Sequence, residues 1–131
     1  GSLTILSAHR FKRAKEELST AELLLHNANF RSSINRSYYA IFHAINAVHA
    51  LNGKSFKRHK DAIGNFNKDY VKTEIFPREI GRKIGEAEEI RHASDYDDFY
   101  IAIREETERQ VMVAEEFLRL VERYCVSEME K

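Results

Sequence analysis

Residues 30–51, FRSSINRSYYAIFHAINAVHAL, decide the fold class of this chain. Apolar side chains recur in this stretch at steps of three and four residues, the spacing that forms one face of an amphipathic α-helix. The members of this apolar face are Ile34, Tyr38, Ile41, Ile45 and Val48. Asn52-Gly53 follows as a stop signal, because glycine accepts the left-handed conformation beyond a helix end. The stretch therefore predicts a long helix over about residues 30–51.

The same pattern precedes and follows this helix. An apolar face with helical spacing predicts a first helix over about residues 5–28, and its members are Phe11, Ala14, Leu18, Ala21, Leu25 and Ala28. A third, shorter helix is indicated by a second set of residues at helical spacing, namely His59, Ile63, Phe66 and Tyr70.

Two further helices complete the chain. Pro77 fits the first turn of the fourth helix, because the missing proline N–H would have no partner there, and we expect that helix to end near His92. A polar connection over residues 93–98 follows. The last helix is expected to begin between Asp98 and Glu105, with an apolar face of Val111, Ala114, Leu118, Val121 and Cys125. No segment alternates like a strand, so the sequence predicts an all-α antiparallel bundle of four to five helices.

Length and composition fit one domain that needs no disulfide or structural metal. A chain of 131 residues suits a single domain, which we place at residues 3–127, with a cloning scar at 1–2 and a polar tail at 128–131. Cys125 is the one cysteine, so no internal disulfide is possible, and this fits a reducing compartment. No run reaches the ~18 apolar residues that a membrane span needs, and we expect a cytoplasmic protein.

The charges are balanced overall but unevenly distributed. The net charge is zero, whereas residues 1–65 carry +6 and residues 66–131 carry −6. Antiparallel helices cancel such halves locally, and a functional basic face is the alternative interpretation. A sharper cluster stands at the start of a predicted loop and comprises Lys54, Lys57, Arg58, His59 and Lys60. This cluster is either part of a solvated loop or part of the rim of a site that binds phosphate groups.

Most catalytic signatures are absent from the sequence. There is no glycine-rich phosphate loop, no Cys-x-x-Cys and no His-Glu-x-x-His. A di-metal bundle needs two Glu-x-x-His pairs, and the spacing occurs once, at Glu89 and His92. We therefore expect no metal and no cofactor, and we interpret Cys125 as a core residue.

The second helix carries the candidate chemistry. At 100° per residue, His43 lies about 20° from Arg36 around the helix, so the two stack two turns apart, away from the apolar face. The residues beside them are small: Ala40, Ala47 and Ala50. Such a face suggests that a ligand or a second copy approaches closely. The alternative is that the alanines pack against a neighbouring helix, with Arg36 and His43 hydrogen-bonded at its edge.

Residues 35–44, NRSYYAIFHA, resemble the second-helix signature of HEPN proteins, in particular the small stand-alone prokaryotic branch with an Arg-Ser-Tyr-Tyr-Ala…His motif. The resemblance continues in family order through residues 58–63 (RHKDAI), 70–73 (YVKT) and 91–97 (RHASDYD). It spans about residues 8–125. Several ordered segments on an all-helical chain make this resemblance fairly specific.

The resemblance implies a function as well as a fold. It implies a helical bundle that dimerises through its second helices, with an Arg…His motif used by many members for metal-independent RNA cleavage. The chemistry suits Arg36 and His43. A histidine with a pKa near ~6.5 can accept the 2′-OH proton or protonate the leaving oxygen, and an arginine stabilises phosphate charge. Active family members commonly carry Asn, Asp or His where this chain has Ser37. Ile45 stands where adenylylated toxins have a tyrosine.

These arguments define the candidate site residues. Arg36 and His43 are the predicted catalytic pair. Substrate contacts are predicted at positions beside the motif and in the basic loop, namely Ser37, Tyr39, Lys57, Arg58, His59 and Lys60. Tyr38 lies on the apolar face and is interpreted as structural. Arg91 and Asp95 are spaced for a local i,i+4 ion pair, with substrate contact as the alternative.

Three functions remain open at this point. The first is a HEPN-type endoribonuclease, toxin-like, acting as a homodimer on RNA beside a nucleotidyltransferase antitoxin. The second is a non-catalytic module that binds a nucleotide or a partner through the same groove. The third is a structural dimer subunit of a larger complex.

Overall fold

The computed structural model describes all 131 residues and contains helices only. The five α-helices are α1 (Ser2–His26), α2 (Phe30–Leu51), α3 (His59–Phe66), α4 (Arg78–Tyr96) and α5 (Arg104–Met129). A π-helical turn, Asn67–Val71, continues α3. The predicted all-α bundle is confirmed. No helix combines the length and the apolar character that a bilayer-spanning segment requires.

Helix α2 is the centre of the bundle. Thirteen of its 22 residues are buried, including every member of the predicted apolar face. Helices α1, α3, α4 and α5 all pack against it. The buried His49 donates Nε2–H to the carbonyl of Ala62 at 2.8 Å and ties α2 to α3. Because so much of α2 is enclosed, few of its side chains remain available to solvent.

Helix α1 lies antiparallel to α2 at close range. The buried residues of α1 are small and seven apart: Ser7, Ala14 and Ala21. Two hydroxyl groups bridge the helix backbones, since Ser7 Oγ donates to the carbonyl of Ala47 at 2.8 Å and Ser33 Oγ donates to that of Ala21 at 2.7 Å. The seam ends where Ala28 adopts a left-handed conformation with φ +61°. Ala28 therefore lies outside α1 and does not belong to the apolar face that was predicted for this helix.

Aromatic side chains fill the core on the other side of α2. The rings of Phe66, Phe76 and Phe117 have centroids between 5.1 and 6.0 Å apart. The predicted third helix is present, but its second half is the π-helical turn. That turn keeps both Phe66 and Tyr70 buried, with ring centroids 5.4 Å apart.

The boundaries of the last two helices differ from the prediction. Pro77 stands just before α4 rather than within its first turn. The polar connection predicted over 93–98 is wrong for its first four residues, because α4 continues to Tyr96. Ser94 is buried there, and the N–H of Asp97 still donates to the carbonyl of Ala93 at 2.9 Å. Helix α5 extends to Met129, two residues into the expected polar tail.

A close approach between α4 and the π-helical turn gives a direct test of this packing. A Cβ placed on Gly81 would lie 2.7 Å from Val71 Cγ1, whereas a Cβ on Gly85 would meet nothing within 4 Å. We expect Gly85→Ala to stabilise the fold by about 0.5–1 kcal/mol through helix propensity. Gly81→Ala should lose this gain and cost about 1–3 kcal/mol through overpacking, because the branched Val71 side chain is stiff. Urea unfolding followed by circular dichroism measures both, and equal effects would contradict the close contact.

Candidate functional site

Three side chains share the partly exposed edge of α2. The guanidinium carbon of Arg36 lies 5.0 Å from the centroid of the Tyr39 ring, and the His43 ring centroid lies 6.2 Å from the same ring. The prediction that Arg36 and His43 project together from one side of α2 is confirmed. Tyr39, one of the predicted substrate contacts, lies between them.

The Arg36 guanidinium is held by two neighbours and keeps free donors. Its Nη1 donates to Glu17 Oε2 at 2.6 Å, and its Nε and Nη2 donate to Asn35 Oδ1. A guanidinium carries five N–H groups, so two remain without a protein partner. The side chain of Arg36 is 35% exposed. These two donors are therefore accessible to an anionic group such as a phosphate.

Helix α1 brings two further arginines to this edge. Arg10 Nη1 donates to the carbonyl of Asn46 at 3.2 Å, and the antiparallel course of α1 places Arg13 within electrostatic range of His43. Partial burial, the largest cause, and the positive charges of Arg13, Arg36, His59 and Arg10, in decreasing order, together lower the pKa of His43 to about 4. The imidazole of His43 is consequently neutral at pH 7 and can accept a proton.

The alanines beside the motif face α1. Ala40, Ala47 and Ala50 are at most 1% exposed, and Ser7 of α1 donates to the carbonyl of Ala47. The interpretation that a ligand or second copy approaches these alanines is wrong. Small residues are needed there because α1 and α2 of the same chain pack closely, which is the alternative that the sequence left open. Arg36 and His43 lie at the edge of that packing.

His59, the first residue of α3, contacts the same aromatic residues of α2 from a different helix. Its ring centroid lies 3.9 Å from that of Phe42 and 5.7 Å from that of Tyr39. Its Nδ1 is hydrogen-bonded to the hydroxyl of Tyr38 at 3.1 Å. Tyr38 is buried on the core side, as predicted. Burial and the nearby Arg91 lower the pKa of His59.

Arg91 of α4 completes the cluster. Its Nε lies 3.0 Å from Asp95 Oδ2, so the predicted i,i+4 ion pair is confirmed. Its Nη2 also donates to the Tyr39 hydroxyl at 3.2 Å, and its guanidinium carbon lies 5.6 Å from the Tyr39 ring centroid. Tyr39 therefore contacts two guanidinium groups, from Arg36 and from Arg91. We call the residues at this edge the Arg–His cluster: Arg10, Arg13, Arg36, Tyr39, His43, His59 and Arg91.

The remaining predicted contacts lie elsewhere. The predicted substrate contact at Ser37 is corrected to a core position, because Ser37 is 1% exposed and its hydroxyl has no hydrogen-bond partner. Lys57, Arg58 and Lys60 are exposed beside His59, and Arg58 pairs with Asp61 at 2.9 Å. These three residues adjoin His59 in sequence, and no hydrogen bond or ion pair joins them to the other members of the Arg–His cluster.

Other features are structural. No group of three or more His, Cys, Asp or Glu side chains converges anywhere in the chain. Cys125 is buried in the core, as predicted, and its sulfur lies 3.9 Å from Ser7 Oγ. His92 of the single Glu-x-x-His spacing instead packs on Tyr96, with ring centroids 4.8 Å apart.

Sequence reasoning missed Arg10, Arg13 and Glu17. All three lie on one side of α1, next to the small residues of the α1–α2 seam. The signal was present, because the seven-residue spacing of Ser7, Ala14 and Ala21 fixes which side of α1 meets α2. An antiparallel partner for that seam places Glu17 beside Arg36.

Fold and site together define a small all-α domain whose second helix carries an Arg…His pair within a cationic cluster. The chain belongs to the HEPN domain family, whose profile matches residues 7–124. It is similar to a "UPF0332 protein" of Thermotoga maritima, with 34% identity over 86% of this chain and 85% of that protein. Two proteins of Methanocaldococcus jannaschii named "Putative toxin" are also similar. One is 26% identical to this chain, over 88% of this chain and 79% of that protein. The other is 32% identical, over 63% of this chain and 62% of that protein.

The lowered pKa of His43 predicts that the stability of the fold depends on pH. Unfolded His43 titrates near ~6.5, whereas folded His43 titrates at about 4, so the unfolded chain binds more protons between these values. The free energy of unfolding should therefore fall as the pH drops from about 6.5 towards 4. We expect His43→Gln to reduce that fall, measured by urea unfolding at several pH values. His26→Gln, at the exposed end of α1, should keep the wild-type fall, and identical behaviour of both variants would contradict the prediction.

Proposed function

We propose that this HEPN protein is a metal-independent endoribonuclease that uses Arg36 and His43 on single-stranded RNA. The observation that carries the proposal is the arrangement of Arg36, Tyr39 and His43 on one edge of α2, with two unpaired guanidinium N–H groups beside a neutral imidazole. A phosphate bound by Arg36 would lie next to a group that can take a proton.

The proposed reaction is an internal transfer of the phosphoryl group. His43 removes the proton of the ribose 2′-OH, and the 2′ oxygen attacks the adjacent phosphorus. Arg36 donates hydrogen bonds to the phosphate oxygens as negative charge develops on them. As the bond from the 2′ oxygen to phosphorus forms, the bond from phosphorus to the 5′ oxygen breaks and the 5′ oxygen takes up a proton. The products are a 2′,3′-cyclic phosphate and a free 5′-OH end. This chemistry draws on two side chains and the substrate's own nucleophile.

Arg10 and Arg13 support binding of a polyanion. Neither forms an ion pair with a carboxylate, unlike Arg36 and Arg91. Their charge is therefore available to further phosphates along a strand. The exposed Lys57, Arg58 and Lys60 beside His59 extend the same cationic region and are proposed as additional backbone contacts.

The toxin role and the partners belong to the same proposal. The names of the two Methanocaldococcus jannaschii relatives support a toxin-like ribonuclease. We propose that it acts in the cytoplasm as a homodimer, through the edge of α2 that one chain leaves partly open. Asn35, Arg36, Tyr39, His43 and Asn46 form that edge. A nucleotidyltransferase encoded next to this chain would be the antitoxin.

Activity in the presence of EDTA tests the proposal. We expect the wild type to cleave RNA with EDTA present and to leave 2′,3′-cyclic phosphate ends. Arg36→Ala and His43→Ala should each lower the rate by at least ~100-fold, because they remove charge stabilisation and proton transfer respectively. Arg78→Ala and His26→Ala, which change exposed side chains away from the cluster, are the matched controls. Intact RNA with measurable nucleotide binding would instead support the non-catalytic binding module.

The two α1 arginines predict a salt effect. We expect Arg10→Gln with Arg13→Gln to weaken binding of single-stranded RNA and to lower the slope of log affinity against log salt by roughly 0.7 per arginine. The pair Arg78→Gln and Arg123→Gln removes the same charge from other surfaces and should keep the wild-type slope. Binding is measured by fluorescence anisotropy with His43→Gln in every variant, so that the RNA stays whole. An unchanged slope would remove α1 from the binding surface.

A further inference from the structure

Two histidines from different helices flank the same pair of aromatic rings. The His43 ring centroid lies 5.8 Å from that of Phe42 and 6.2 Å from that of Tyr39. The corresponding distances for His59 are 3.9 and 5.7 Å. A positive charge on His59 also acts on His43. One chain therefore contains two imidazoles in a single cluster.

The hydrogen bond to Tyr38 orients His59. It engages Nδ1 at 3.1 Å, and Nε2 has no hydrogen-bond partner in the protein. Burial raises the pKa of Tyr38 to about 12, so its phenol keeps the proton at all working pH values. The phenol oxygen can accept a hydrogen bond from Nδ1–H when the ring is protonated. His59 is a partly exposed residue that is fixed at one nitrogen and has no protein partner at the other, the arrangement expected of a proton-transfer group.

We propose that His59 is a second catalytic residue, the general acid that protonates the leaving oxygen. This inference rests on the proposed ribonuclease function. His43 takes the 2′-OH proton, the 2′ oxygen forms its bond to phosphorus, and the bond from phosphorus to the 5′ oxygen breaks. The imidazolium of His59 gives its Nε2 proton to that 5′ oxygen. His43 ends protonated and His59 neutral, so that protons and charge balance.

The charges around the two rings favour this division of roles. His43 faces Arg10, Arg13 and Arg36, of which only Arg36 has a carboxylate partner. His59 faces Arg91, whose charge is offset by Asp95 at 3.0 Å, and two uncharged phenols, Tyr38 and Tyr39. A proton on His59 therefore meets less repulsion than one on His43. A bound phosphate stabilises that proton further.

The consequence is that one protomer contains both proton-transfer groups. A homodimer would then have two complete sites. The second histidine would come from α3 of the same chain and not from His43 of another copy.

A change of leaving group tests the role of His59. The alkoxide that leaves from a dinucleotide such as uridylyl-3′,5′-adenosine needs a proton, whereas 4-nitrophenolate leaves from uridine 3′-(4-nitrophenyl phosphate) without one. We expect His59→Gln to lower cleavage of the dinucleotide by at least ~100-fold and to leave cleavage of the nitrophenyl ester within a few-fold of wild type. His43→Gln should slow both reactions, and His26→Gln should slow neither. Tyr38→Phe, which removes only the hydroxyl, should act in the same direction as His59→Gln but more weakly.

The outcomes separate the two proposals. If wild type cleaves both substrates and His59→Gln either cleaves the dinucleotide normally or loses both reactions equally, the general-acid role is overturned while the ribonuclease stands. If wild type cleaves neither substrate, both proposals fall together. Mixing His43→Gln with His59→Gln provides the second measurement. No activity should return, and recovery would assign the two histidines to different subunits and overturn the single-protomer site.

Discussion

The close packing of α1 against α2 is the constraint on which the rest of the structure depends. Ser7, Ala14 and Ala21 leave room for the backbone of α2, and two serine hydroxyls donate across the seam. The two hydroxyl bonds hold α1 and α2 in the observed register. In that register the side of α1 next to the seam carries Arg10, Arg13 and Glu17 to the edge of α2. A packing contact made of small, uncharged residues therefore determines where the charges of the cluster lie.

The electrostatics of the cluster follow from that placement. The chain has no net charge, yet its basic first half gathers several guanidinium groups around one imidazole. Glu17 and Asp95 each neutralise one arginine of the cluster, while Arg10 and Arg13 keep their charge free. The result is a cationic site that repels a proton from His43. The same charges account for the neutral imidazole and are the reason for proposing a polyanionic substrate.

The sequence predicted the fold well because helical periodicity is a local signal. Every member of the predicted apolar face of α2 is buried. Arg36 and His43 were also placed on one side of α2, since that follows from helical geometry alone. The prediction was less successful where tertiary packing decides. Ser37 is buried because other helices enclose it, and residues 93–96 remain helical because α4 has an ion pair and a buried serine near its end. To predict that Arg10 and Arg13 belong to the site, one must know how α1 pairs with α2, and the pattern of a single helix does not show this.

The hydrogen bonds from Arg36 to Glu17 and Asn35 fix the guanidinium before any ligand binds at this edge. A free arginine side chain samples many rotamers, and freezing one on binding costs about 0.5–1.5 kcal/mol. Here the guanidinium is already immobilised by the fold, so this entropy loss is incurred once, during folding, and not each time that a ligand binds. Preorganisation of this kind makes the reactive geometry a property of the native state. Because Glu17 belongs to α1, the orientation of Arg36 would be lost whenever α1 separates from α2.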